Sequence, residues 1–207
     1  MFWFSRNDAK ELSPYAEIAS RVFGDLYMVE IDNKDIEYIK LLIGQPLSGI
    51  KRASDMGDFG FGEKRAYKIY NGKERIAPFL ALHIQCPFRL ISRNERIVFS
   101  AYDMYLSHNG ERMEGMTWDV CGVNLYDIKT NEWIRSSPPL FVKAAKINNQ
   151  GDLRIVFNTN DRLEIFVNCS TEVECWRFFE LSSYSDRAES ILPKHLVMTG
   201  LGVEYSL

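Results

Sequence analysis

The chain has 207 residues, 46% hydrophobic and 26% charged, with 25 Lys and Arg against 28 Asp and Glu for a net charge of −3. A chain of this length buries about 70% of the surface its unfolded form exposes, so its core needs no metal or disulfide staple. The cations are scattered, densest at Lys51-Arg52 and Lys64-Arg65, which argues against nucleic-acid binding through a stripe that neutralises phosphates.

The apolar start, Met1-Phe2-Trp3-Phe4, runs straight into Ser5-Arg6-Asn7-Asp8. It falls short of the roughly 7–15 apolar residues of an export signal and the roughly 20 of a membrane helix. Cys86, Cys121, Cys169 and Cys175 form no CxxC pair and match no zinc spacing. These features predict a cytoplasmic protein with reduced thiols, no metal and no cofactor.

In chain order, Ser13 is placed to cap a helix with Pro14 at its first position, Ile18, Ala19, Val22 and Phe23 on one face and Gly24 at its end. Residues 26–31 read as a short strand. Asp32 or Asn33 caps a second helix whose face is Ile36, Ile39 and Ile43, closed by Gly44 with Pro46 beyond. From residue 47 short strands alternate with turn residues. Asn71-Gly72 marks a hairpin between runs 66–70 and 75–84. The apolar run 79–91 contains Pro87, which cannot donate to a central ladder, so it reads as two strand pieces bent at Cys86-Pro87. Residues 95–100, 101–106 and 120–129 are further strand candidates. Runs 141–147, 153–157, 163–167 and 173–181 are joined by turns of four or five residues and read as an antiparallel meander. In it Leu153, Ile155 and Phe157 face the core and Arg154 faces away. A short helix is expected around 186–191, then two β-prone pieces, 195–199 and 203–205, flank Gly200-Leu201-Gly202. The fold class expected is α+β, mainly antiparallel sheet with a C-terminal meander and two N-terminal helices. It is one domain over 1–207, helical at about 13–44 and β at about 47–207.

Candidate sites each have a structural competitor. Gly57, Gly60 and Gly62 in GDFGFG match no phosphate-loop spacing, and a bulge with Phe59 and Phe61 turned inward accounts for them. His83 and Cys86 offer a base and a nucleophile, but three positions apart on a strand they point to opposite faces. His83 therefore reads as a hydrogen-bonded core or boundary residue and Cys86 as a small buried hydrophobe, with Arg89 just beyond. His108 lies in a polar loop and His195 on a distant strand, which argues against a histidine metal centre. Asp103, Asp119, Asp127, Glu164 and Glu174 read as solvent-facing positions of amphipathic strands. Residues 174–179, ECWRFF, put Trp176 and Phe178 on one face and Cys175, Arg177 and Phe179 on the other. That describes a central strand covered on two sides, in which Arg177 needs a carboxylate partner; an exposed Trp176 would instead suit an interface anchor.

Three segments, LALHIQCPFRL, RLEIFVNCSTEVECWRFFEL and HLVMTGLGVEY, resemble an uncharacterised family of small bacterial cytosolic proteins over about residues 40–205. The resemblance implies an aromatic residue at the place of Phe88, where the family would carry Trp, and a Pro-Asp turn where Val167-Asn168-Cys169 stands. It makes residues 182–193 an addition, and it carries over no catalytic residue. By analogy these proteins are similar to immunity proteins that neutralise toxins of neighbouring bacteria. The expectation is a non-enzymatic protein-binding module of the immunity type, whose acidic balance steers it toward a basic toxin domain, with no nucleic-acid or membrane partner. Arg89, Asp103, Trp176 and Arg177 are the candidate binding residues. The alternatives are a small-ligand binder or enzyme with a pocket between sheet and helices, built on Cys86, Arg89 and Asp103, and a structural or regulatory subunit that forms a homo-oligomer.

Overall fold

The computed structural model describes residues 31–69, 71–113, 120–181 and 195–206. The expected helix at 13–24, most of the strand at 26–31, the short helix at 186–191 and Asp119 lie outside them. Helix α1 (Asn33–Lys40) begins at the expected cap. The Asp32 carboxylate accepts from the amides of Lys34 (2.7 Å) and Asp35 (3.1 Å), and the Asp35 carboxylate accepts from the Asp32 amide at 2.9 Å. This reciprocal box satisfies amides that the first helical turn leaves without partners. Ile39 faces the core, but Ile43 lies past the last turn and is exposed, and Leu42 is buried in its stead.

Eleven strands follow among the described residues: β1 (Leu47–Ala53), β2 (Met56–Lys68), β3 (Glu74–Ile84), β4 (Phe88–Ile91), β5 (Ile97–Ser100), β6 (Val142–Ile147), β7 (Leu153–Phe157), β8 (Arg162–Ile165), β9 (Glu174–Glu180), β10 (His195–Thr199) and β11 (Gly202–Ser206). They form a six-stranded sheet in the order β1-β2-β3-β9-β10-β11 and a five-stranded sheet in the order β5-β4-β8-β7-β6. All pairings are antiparallel. With α1 and a second helix, α2 (Leu125–Ser136), the described residues are α+β and mostly antiparallel sheet.

The GDFGFG stretch lies within β2 and is structural. Phe59 and Phe61 are fully buried. Gly60 leaves room for the Pro78 ring, since a Cβ there would meet Pro78 Cγ at 2.3 Å. Gly62, at φ +81°, sits where the β2–β3 register shifts between Phe61 and Lys64, a left-handed backbone at a bulge that favours glycine. The bend at Cys86-Pro87 carries the chain from one sheet to the other. The amides of Gln85 and Cys86 both donate to Cys175 O, at 2.8 and 3.1 Å, and the Phe166 amide donates to Pro87 O at 2.9 Å. β3 with β9 and β4 with β8 are thus one antiparallel ribbon shared between two sheets.

Two expected strands are not strands, and a third lies in the other sheet. Residues 101–106 form a 3₁₀ helix (Ala101–Tyr105), because the Asp103 carboxylate accepts from the Ser100 amide at 2.9 Å and closes a local turn. Residues 120–129 are a turn followed by the start of α2, whose cap is Asn124, its side-chain oxygen accepting from the Asp127 amide at 2.8 Å. Tyr126, Thr130 and Trp133 then recur at helical spacing on the buried face. Residues 174–180 leave the meander: β6, β7 and β8 are consecutive neighbours, but β9 crosses to the other sheet and lies between β3 and β10. Both its faces are apolar, so a central position covers them.

One contiguous apolar core includes residues from both sheets and both helices. A run of tilted and edge-on ring contacts crosses it, Phe59–Phe88 (5.7 Å), Phe88–Tyr126 (5.9 Å), Tyr126–Phe99 (5.5 Å), Phe99–Trp133 (5.8 Å) and Trp133–Phe157 (5.6 Å). Each pair adds about 0.5–1.5 kcal/mol beyond its buried area. A buried ion pair ties β1 to α2: Arg52 Nε and Nη2 hold the two oxygens of Asp127 at 2.9 and 3.0 Å, and the Arg52 side chain is only 2% exposed. Arg52→Ala leaves the Asp127 charge buried without its fork and is expected to cost about 3–5 kcal/mol in urea unfolding, whereas Arg52→Met with Asp127→Leu recovers most of that loss.

Candidate functional site

Strand β8 reads Arg162-Leu163-Glu164-Ile165. The period of two sends Leu163 and Ile165 into the core and Arg162 and Glu164 to the outer face of the five-stranded sheet. Register then builds a row across four strands, Arg89 opposite Glu164, Glu164 opposite Arg154, and Arg154 opposite Lys146. Beneath the long basic side chains, Glu164 is only 5% exposed. Its Oε2 accepts from Arg89 Nε (3.0 Å) and Nη2 (2.9 Å). Its Oε1 accepts from Arg162 Nε (3.1 Å) and lies 3.0 Å from Arg154 Nη2. Arg162 also grips Glu95 with both terminal nitrogens.

Burial alone would push the Glu164 carboxyl up, but the hydrogen bonds from Arg89 and Arg162 and the charges of Arg154 and Arg89 more than offset it. The group is held below the usual carboxylate range. In return, one carboxylate keeps three guanidinium groups side by side that would otherwise repel. A guanidinium has five N–H donors in a rigid fork. The Arg154 and Arg89 side chains, 62% and 43% exposed, keep some of theirs toward solvent. The Arg89 guanidinium also lies over the Phe166 ring at 5.2 Å. A cleft of about 340 Å³ opens beside the row, lined by Lys146, Asn148, Asp152, Arg154 and Phe166 among others. Asp152 is engaged in the β6–β7 turn, where it accepts from Asn148 Nδ2 (3.0 Å) and from the Val167 amide (2.8 Å). Arg89, Arg154, Arg162 and Lys146 thus stand against Glu164 and Glu95, a fixed basic face whose chemistry is the bidentate holding of carboxylates.

The outer face of the six-stranded sheet holds a second cleft of about 230 Å³, with Gly49, Gly60 and Ala81 along it and Lys51, Asp58, Lys64, His83 and Phe179 around it. His83 Nε2 is 3.7 Å from Asp58 Oδ1, and His83 meets the Phe179 ring edge-on at 4.9 Å. Burial holds the His83 pKa below its ordinary value against the pull of Asp58. His195 stacks on the same Phe179 ring at 4.4 Å.

Of the candidate binding residues, only Arg89 belongs to the basic face. Arg177 is on the other sheet and pairs with Glu174, Nε to Oε1 at 2.6 Å, which is the carboxylate its strand position requires. Trp176 is fully buried and donates Nε1–H to Gly151 O at 2.9 Å, so it is a core residue and not an interface anchor. Asp103, Asp127 and Glu164 are buried, contrary to the solvent-facing expectation, because each takes a cation: Lys129, Arg52 and the three arginines respectively. Cys86 is buried, and its thiol is pushed up by burial and by Cys175. His108 is exposed. The two clefts described are lined by none of Cys86, Arg89 and Asp103. Among the described residues no group of three or more His, Cys, Asp or Glu side chains could hold a metal ion, and no helix is long and apolar enough to cross a membrane.

Arg154, Arg162 and Lys146 were not among the candidates. Their outward direction follows from strand alternation, but their meeting depends on register. Residues 158–161 join β7 to β8 in a tight turn in which Asn160 takes φ +64° and the Phe157 amide bonds Asp161 O. A loop one residue longer or shorter would shift the pairing by one and take Arg154 away from Glu164. No protein-family model matches this chain, and no curated protein or solved structure matches it either.

The cluster sets an acid dependence. Because the Glu164 pKa is lower in the folded chain than in the unfolded one, its contribution is complete above about pH 4.5 and is lost as pH falls through the folded value. Glu164→Gln is expected to lower stability by about 1–3 kcal/mol at neutral pH and to flatten the loss on acidification. Urea midpoints of both proteins across the acid range measure it, and equal slopes would remove Glu164 as the cause.

Proposed function

We propose that the chain is a non-enzymatic protein-binding module of the immunity type, which sequesters a bacterial toxin through the outer face of its five-stranded sheet. The observation that carries this reading is the Arg89–Glu164–Arg154–Arg162 cluster, in which a buried carboxylate holds guanidinium groups in fixed positions with donors left over. Such pre-set forks lose little conformational freedom on meeting a partner carboxylate, and complementary charge speeds and orients encounter. The net charge of −3 draws a basic toxin domain at long range. At contact, the basic face asks that this domain present an acidic segment. The resemblance to small bacterial cytosolic proteins supports the same reading, since its three segments cover the ribbon that joins the sheets and the closing β10–β11 hairpin.

The test is to express each toxin gene found beside this one with and without the chain: co-expression is expected to restore growth, and the purified pair to form a complex measurable by calorimetry. Arg89→Glu with Arg154→Glu is expected to raise its Kd about 100-fold or more. Lys146→Glu, which leaves the Glu164 cluster whole, should raise it several-fold in a chain of unchanged stability. Absence of both rescue and complex would overturn the immunity reading, and a complex indifferent to these charges would overturn the face.

A further inference from the structure

The ribbon that joins the sheets has sides of unequal length. Residues 85–87 bridge β3 to β4, whereas residues 166–173 bridge β8 to β9. The longer side carries Cys169 in a loop held against the β10–β11 turn. The Gly200 amide donates to Thr171 O at 2.9 Å, and a Cβ on residue 200 would lie 2.3 Å from Cys169 O and 2.8 Å from the Thr171 nitrogen. This close approach of backbones places Cys169 Sγ 3.3 Å from Cys175 Sγ at the start of β9. A disulfide is about 2.05 Å long, so the sulfurs have only roughly 1.3 Å to close.

The two thiols differ in access and in acidity. Cys169 is partly exposed and Cys175 is buried. Burial pushes the Cys169 thiol up, but the Thr171 and Gly200 amides and the Cys175 S–H together hold it below its ordinary value. Cys175 is pushed up by burial and by its neighbour. Cys86 is buried, and Cys121 is exposed in the turn that precedes α2. We propose that Cys169 and Cys175 are a two-cysteine oxidation site that forms a reversible disulfide on exposure to hydrogen peroxide. The Cys169 thiolate attacks one peroxide oxygen and breaks the O–O bond, giving Cys169 sulfenic acid and a hydroxide that takes a proton to become water. The Cys175 sulfur then attacks the sulfenic sulfur, the S–O bond breaks, and the hydroxyl leaves with the Cys175 proton as a second water. Two electrons pass from the sulfurs to the peroxide, and a dithiol reductant returns them. The bridge closes a tight loop bearing Val173, which is 64% exposed beside Leu201 at 50%, so oxidation stiffens an apolar tip of the surface.

The test is peroxide treatment of the full chain, alkylation of the remaining thiols and mass spectrometry after trypsin. Residues 163–177 form one tryptic peptide holding both cysteines. It is expected two hydrogens lighter and free of alkyl groups, to return to its reduced mass with dithiothreitol, and to react about tenfold faster than the Cys121 peptide. In Cys175→Ser, Cys169 should accumulate as a sulfenic acid trapped by dimedone, and Cys86→Ser should leave the bridge intact. An unbridged 163–177 peptide at peroxide doses that oxidise Cys121, or a bridge from Cys175 to Cys86, would overturn the proposal.

Discussion

Two amides on one strand and one on the other hold the molecule together at its waist. Gln85 and Cys86 donate to a single carbonyl, that of Cys175, while Phe166 donates to Pro87 O. Pro87 has no N–H to give, so the ladder cannot run straight through this point. The pair of strands bends, and the bend delivers β3 and β9 to one sheet and β4 and β8 to the other. Phe88, the first residue past the bend, then lies edge-on to Phe59 of the six-stranded sheet and to Tyr126 of α2. The β6–β7 turn reaches back across the gap, where Gly151 O receives the Trp176 indole. Loss of the bend would separate the two apolar faces that together make one core.

The charged side chains that the fold buries are organised around arginine. Arg52 presents a bidentate fork to Asp127, and Glu164 receives three guanidinium groups from the outer face of its own sheet. The two clusters differ in what they leave over. The Arg52 fork is fully engaged: Nη1 also donates to Ser54 O, and Nη2 donates to Val120 O as well as to Asp127. The arginines around Glu164 stand partly in water with donors unspent. The first arrangement is a joint between elements, and the second is a surface that can still bind.

What was legible in the sequence followed from local chemistry. Asp32 as a cap, Asn71-Gly72 as a hairpin, the break at Cys86-Pro87 and the alternation in residues 153–157 all depend on a few neighbouring residues, and each is found in place. The strands expected at 101–106 and 120–129 failed because β-prone Val120, Val123 and Tyr102 outweighed Ser100, Asp103 and Asn124, whose side chains commit the backbone to turn and helix. The placement of β9 could not be read from turn lengths, since it depends on pairing with β3, some 90 residues earlier in the chain. The basic face was hidden for a related reason: its members are widely spread in sequence, and register alone assembles them.

Two features are more than the architecture needs. A carboxylate under a sheet face costs desolvation, and apolar side chains of similar volume would often serve stability as well or better than a buried ion cluster. A serine at position 169 would suit the loop against Gly200 equally, since it is the carbonyl of that residue, not its sulfur, that the glycine approaches. Neither Glu164 nor Cys169 is therefore explained by packing. Each stands where the fold has brought distant segments together, and each equips that junction with chemistry the junction does not require: forks turned outward in one case, a paired thiol in the other. Sites where a sequence departs from what its fold asks are the places to look for function, and here both lie along the same bent ribbon.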